Sequence, residues 1–166
     1  MGDDASCLGG ETGRIAETMA VHVATVSWKR STEGFTYDEY HREHEWRFDD
    51  GSHIKATAAP EFLGGESGVD PEEAFVASVS SCHMLSFLAI CARKRIIVDH
   101  YTDEATGVMT ENASGRLWVS RVDLRPVVKF AGDPPEREVH EALHHKAHEI
   151  CFIANSVATE IVTHID

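Results

Sequence analysis

The sequence predicts an α+β fold in which mainly antiparallel sheets wrap around one buried central helix. Three observations predict it. From Ala74 to Ala92 there is no Asp, Glu, Lys or Arg, in a chain of which 26% is charged, so this run belongs inside the molecule. β-Branched and aromatic segments lie in adjacent pairs on either side of it. A second, amphipathic helix and one last alternating segment follow, giving the order βββ-α-ββ-α-β.

Taken in order, His22–Trp28 (HVATVSW) reads as a first strand. Residues 36–49, with aromatic and charged positions interleaved, read as a second strand or an ordered loop. Asp50-Gly51 signals a hairpin turn, and His53–Ala59 is the returning strand. A Gly-rich loop, Pro60–Val69, leads to the central helix. That helix starts with Asp70 as N-cap, Pro71 at the first helical position and Glu73 three residues after the cap, and stops at Arg93-Lys94-Arg95. Its length would permit a membrane span, but four serines and an acidic entry argue against one.

Val98–Thr110 and Arg116–Phe130 then read as two long strands. Pro126 cannot donate to a ladder, which puts the second at an edge or bulges it. Asp133-Pro134-Pro135-Glu136 repeats the cap-and-proline start for a second helix, whose apolar stripe is Val139, Leu143, Ala147 and Ile150. Val157 to Ile165 alternates as a final strand.

With 166 residues the chain has the length of one domain, residues 20–166, and Met1–Met19, Gly- and acid-rich with no apolar core, reads as a flexible N-terminal arm rather than a secretory signal. A net charge of −13 excludes phosphate backbones and anionic membranes as partners. Cysteines 7, 82, 91 and 151 have no CxxC spacing and form neither a disulfide framework nor a zinc ribbon, which points to a cytoplasmic protein.

Three groups of residues are candidates for chemistry. Cys82, midway along the central helix, is either a packed small hydrophobe or a reactive thiol. Cys91 lies about 180° round the helix and some 13 Å along it, so it is a packing residue and no direct disulfide partner for Cys82. Cys151 stands at the end of the second helix. A thiol there can move without unfolding a helix, as a resolving cysteine must, or it simply closes the apolar stripe. His140-Glu141-Ala142-Leu143-His144 matches the zinc-hydrolase pattern H-E-x-x-H, with His148 extending the row. In a chain with 11 histidines, and on a polar helix, a solvated face is the simpler reading, and no metal or other cofactor is expected.

Together, Asp70-Pro71-Glu72-Glu73, Ala77, Ser81-Cys82 and Ala147-His148-Glu149-Ile150-Cys151, with Gly64-Gly65 ahead of them, resemble the OsmC/Ohr family of osmotically inducible and organic hydroperoxide resistance proteins. The resemblance covers roughly Val21 to the C-terminus. It implies an OsmC-like intertwined homodimer and a thiol-dependent peroxidase that reduces organic hydroperoxides. Cys82 would be the peroxidatic thiolate and Cys151 the resolving thiol, linked as a disulfide that an external, lipoyl-type dithiol resets. Glu72 would hold an activating arginine. The family's later arginine position is Phe62 here, and counting back to the earlier one reaches Arg42, with Arg47 as substitute. If the central helix is unbroken, Glu72 lies about 15 Å from Cys82, so its role needs a bridging side chain or a second subunit. Phe75, Met84, Phe87 and Phe152 would wall a substrate pocket. The alternatives are a non-catalytic binding module on the same scaffold and the zinc hydrolase of His140, Glu141 and His144.

Overall fold

The computed structural model describes residues 20–165, so the expected N-terminal arm, residues 1–19, lies outside the described residues. Strands β1 (Ala24–Ser27), β2 (His44–Phe48) and β3 (His53–Ala56) precede helix α1 (Pro71–Arg93). Strands β4 (Val98–Asp103), β5 (Thr106–Glu111), β6 (Leu117–Leu124) and β7 (Pro126–Phe130) follow, then helix α2 (Arg137–Ile150) and β8 (Glu160–Thr163).

Helix α1 starts as its sequence dictates. The Asp70 carboxylate accepts the Glu73 N–H at 2.7 Å, and the Glu73 carboxylate accepts the Asp70 N–H at 3.4 Å, a reciprocal capping box. One side of α1 packs into both cores. Phe87, Ile90 and Cys91 join Phe130, Leu143 and Ala147 in the first, while Val79 joins Val122 and Leu124 in the second. The helix is long and apolar enough to cross a bilayer, but here it is the element on which α2 and the β4–β7 hairpin pack. Burial is one-sided, however. Ala77, Ser81, Leu85 and Ala89 form an exposed i, i+4 row, with Leu85 60% exposed.

Both expected long strands are broken at the same level. β4 pairs with β7 and β5 with β6, so one hairpin is interrupted between Asp103↔Pro126 and Thr106↔Asp123. The cause is local. Pro126 offers no N–H, and the Asp103 carboxylate turns in to accept the Arg125 N–H at 2.6 Å and the Ser80 hydroxyl. β7 is accordingly an edge, paired with β4 alone. The last strand is shorter than expected and runs parallel to β6; the other four strand pairings are antiparallel.

Residues 37–43 form a loop rather than a strand, because the Arg42 guanidinium draws the chain round itself, bonding the Tyr37 carbonyl at 2.6 Å and that of Tyr40. The second helix starts later than expected. Glu136 stands at its N-cap without a side-chain cap bond, and the two prolines remain in the preceding loop. Its buried residues are Leu143, His144 and Ala147, whereas Val139 is 45% exposed.

The β1–β3 sheet packs chiefly on itself. It joins the remainder mainly through the Ala56↔Val69 bridge, leaving Val26 and Ile54 exposed. The turn after β3 is held by a close backbone approach: a Cβ on Gly64 would stand 1.6 Å from the Ala58 carbonyl oxygen. Gly64→Ala therefore requires a backbone shift, with an expected loss of about 2 kcal/mol. Urea unfolding checks it, and an unchanged midpoint would contradict this account of the loop.

Candidate thiol site

The two cysteines approach because α2 packs on α1 and the chain then turns back at once. Cys82 Sγ accepts the Ile153 N–H at 3.5 Å, and Cys151 Sγ accepts the Ala154 N–H at 3.4 Å, both donors belonging to the turn after α2. Cys82 and Cys151 neighbour one another, and Cys151 is pushed up to about 11, first by burial and then by Cys82. Cys151 is 1% exposed, Cys82 partly so, and neither is in a disulfide. A half-open sulfur beside a buried one, 69 residues apart in sequence, is an arrangement in which an oxidised first thiol can be met by the second. Cys91 is buried in the first core and its thiol is pushed up by burial alone.

The expected activating groups lie elsewhere in the chain. Arg42 is 8% exposed, its guanidinium 3.8 Å from the Tyr40 ring centroid and 4.9 Å from that of Tyr37, with Nε buried and unpartnered. Arg42 and Glu72 line the same cavity of about 450 Å³, walled by Trp28, Phe35 and Tyr40, but the arginine bonds carbonyls rather than Glu72. Cys82 does not line that cavity. Arg47 points outward and pairs with Glu45.

The expected pocket walls separate. Phe87 is fully buried and stacks on His144 with ring centroids 4.2 Å apart, so it is core rather than pocket. Phe75 packs against Val79, Val122 and Leu124. Met84 lines a groove of about 970 Å³ between α1 and the β4–β6 hairpin, together with Val76, Met109 and Val119. Phe152, beside Cys151, is 82% exposed.

The histidine row is a correction. His144 is 1% exposed, and His140 is partly buried against Phe87 and Phe130. They are not a solvated face. His83 Nε2 meets His144 Nδ1 at 3.0 Å, and His144 Nε2 meets His140 Nε2 at 3.1 Å. Burial lowers His83 to about 4 and His144 to about 3, and lowers His140 as well, so these three facing imidazoles are neutral at pH 7. Glu141, the expected general base, turns out to Arg137 at 2.7 Å. Among the described residues, no three metal-ligating side chains converge. Sequence reasoning missed this imidazole chain; the one signal was His83, the only titratable group besides cysteine in an otherwise apolar run.

A family model described as OsmC-like protein matches residues 64–166. An OsmC-like protein of unknown function from Vibrio cholerae is 51% identical, over 89% of this chain and all of that one, with a TM-score of 0.85. Two more distant structures share the fold. The organic hydroperoxide resistance protein OhrB of Bacillus subtilis is 18% identical over 90% of this chain and all of its own, TM-score 0.67. An organic hydroperoxide resistance protein from Elizabethkingia anophelis is 18% identical over 89% of this chain and 94% of its own, TM-score 0.68. No curated protein matches. An α+β scaffold that brings two thiols from distant segments together, and a family model that spans both cysteines, lead to one conclusion: the chain belongs to the OsmC-like family.

Proposed function

We propose that the protein is a thiol-dependent peroxidase reducing organic hydroperoxides to alcohols. The observation that carries this reading is the neighbouring Cys82–Cys151 pair, one thiol partly accessible and the other buried. The Cys82 thiolate attacks the distal peroxide oxygen, the O–O bond breaks, and the departing alkoxide takes a proton to leave as alcohol. Cys82 is then a sulfenic acid. The Cys151 thiol displaces its hydroxyl as water, forming the Cys82–Cys151 disulfide, and an external dithiol of the lipoyl type reduces it back. Neither step calls for a cofactor. Chemistry that begins from a reduced thiol suits the cytoplasm.

A second copy of the chain completes the site in this reading. The uncharged α1 row Ala77, Ser81, Leu85 and Ala89 and the weakly attached β1–β3 sheet both need cover. In a homodimer, Arg42 and Glu72 of one subunit can reach the Cys82 of the other, where the guanidinium would favour the thiolate. Leu85→Asp places a charge on that row, so it is expected to shift the protein to monomer in sedimentation and to remove peroxidase activity. A dimeric, active variant would contradict this assembly.

The function is tested by following cumene hydroperoxide with dihydrolipoamide as reductant. Consumption well above that of a Cys82→Ser protein supports the peroxidase. Equal rates would favour the non-catalytic binding module, which the apolar groove of about 970 Å³ could serve.

A further inference from the structure

The contact between α1 and α2 is otherwise apolar: Phe87, Ile90 and Cys91 from one helix, Leu143 and Ala147 from the other. Apolar contact is non-directional and leaves one helix free to slip along another at small cost. A buried polar bond does not, because a slip leaves both groups unpaired in a low-dielectric interior. Among the described residues, His83–His144 is the only side-chain hydrogen bond joining the two helices. Both rings are 1% exposed, and they lie side by side, 5° from parallel. Phe87 stacks on His144 and His140 bonds its far nitrogen, so the ring is held on three sides.

The placement of this bond relative to the thiols is the point. His83 follows Cys82 directly, and His144 precedes Cys151 by seven residues, about two helical turns. We propose that His83 and His144 are positioning residues for the Cys82–Cys151 pair: their bond fixes the register of α2 on α1 and thereby sets the approach of the two sulfurs. The inference rests on the reading of these cysteines as redox partners. It requires no proton transfer from the imidazoles to a thiol, only that one of the two facing nitrogens carries a hydrogen and the other accepts it.

The test is the effective concentration of the pair, measured at pH 7 by equilibrating the full chain in glutathione redox buffers and quantifying the Cys82–Cys151 peptide after acid quenching. His144→Leu removes the bond and is expected to lower the effective concentration at least tenfold. His144→Asn places an amide where Nδ1 sits and keeps a partner for His83, so it is expected to stay within about threefold of the unaltered protein. The double variant His83→Leu/His144→Leu leaves neither nitrogen of the His83–His144 bond unpaired, which protects folding, and is expected to remain as low as His144→Leu. An effective concentration unchanged in either leucine variant overturns the inference. So does an equal fall in His144→Asn, which would assign the effect to ring packing on Phe87. If the unaltered protein forms the disulfide in glutathione but not with hydroperoxide, the peroxidase reading fails and the positioning role stands. No disulfide in any buffer overturns the positioning role.

Discussion

Cys82→Ser is expected to lower turnover of cumene hydroperoxide by at least about a thousandfold, because a serine hydroxyl at neutral pH is neither ionised nor a nucleophile toward peroxide oxygen. Cys151→Ser is expected to behave differently. The first attack should survive at close to its normal rate for a single turnover, leaving a Cys82 sulfenic acid that dimedone captures, while steady turnover with a dithiol falls. The two variants therefore separate a nucleophile from a resolving thiol. A merely structural pair would give equal, modest losses in both, with no sulfenic acid trapped in either. The asymmetry of exposure supports the assignment: oxidant can approach Cys82, whereas Cys151 is sealed and held protonated.

The second large effect is acid lability. His83 and His144 are neutral in the fold at values of about 4 and about 3, against about 6.5 in an unfolded chain. A base whose value is depressed by folding stabilises the native state fully above its unfolded value. That contribution is lost as pH falls from about 6.5 toward the folded values, because the unfolded chain binds the protons first. At pH 5 the loss is about 2 kcal/mol for each of the two histidines. At fixed protein concentration, the melting temperature should drop by about 10 °C between pH 7.5 and pH 5. Acidic side chains cannot produce this drop. Asp123, held well below the usual carboxylate range by Arg121 and His164, begins to lose its contribution only below about pH 4, outside the interval from pH 7.5 to pH 5. Moreover, lowering a net charge of −13 relieves self-repulsion. A melting temperature that is flat or rising from pH 7.5 to 5 would contradict the neutral, buried imidazole chain.

Particular residues explain what could be read from the sequence and what could not. The capping box of α1 was legible because Asp70, Pro71 and Glu73 act within one turn. Pro126 announced an edge or a bulge for the same local reason, and the strand is an edge that breaks there. The break opposite it, after Asp103, was not legible: it depends on a carboxylate finding Ser80 and an N–H 22 residues away. Asp133 looked like a helix cap, but the helix begins after two prolines that carry no N–H to donate.

The site divides in the same way. Cys82 and Cys151 were singled out by the resemblance to the family's two cysteine blocks, and the fold brings both sulfurs to the turn after α2. Phe87 failed as a pocket wall because helix periodicity does not say which face meets α2. His140 and His144 read as surface because their neighbours Glu141, His145 and Lys146 are polar; only His83, on another helix, makes their burial affordable. Arg42 and Glu72 share a cavity that Cys82 does not line, and the Arg42 guanidinium is taken up by two backbone carbonyls, a contact that counting along the chain does not reveal.

The most direct measurement is peptide mapping of the reduced protein after one equivalent of cumene or fatty-acyl hydroperoxide, quenched in acid. The account predicts one new cross-link, Cys82 to Cys151, with Cys91 still free. Recovery of Cys82 and Cys151 as free thiols after the peroxide has been consumed would contradict it.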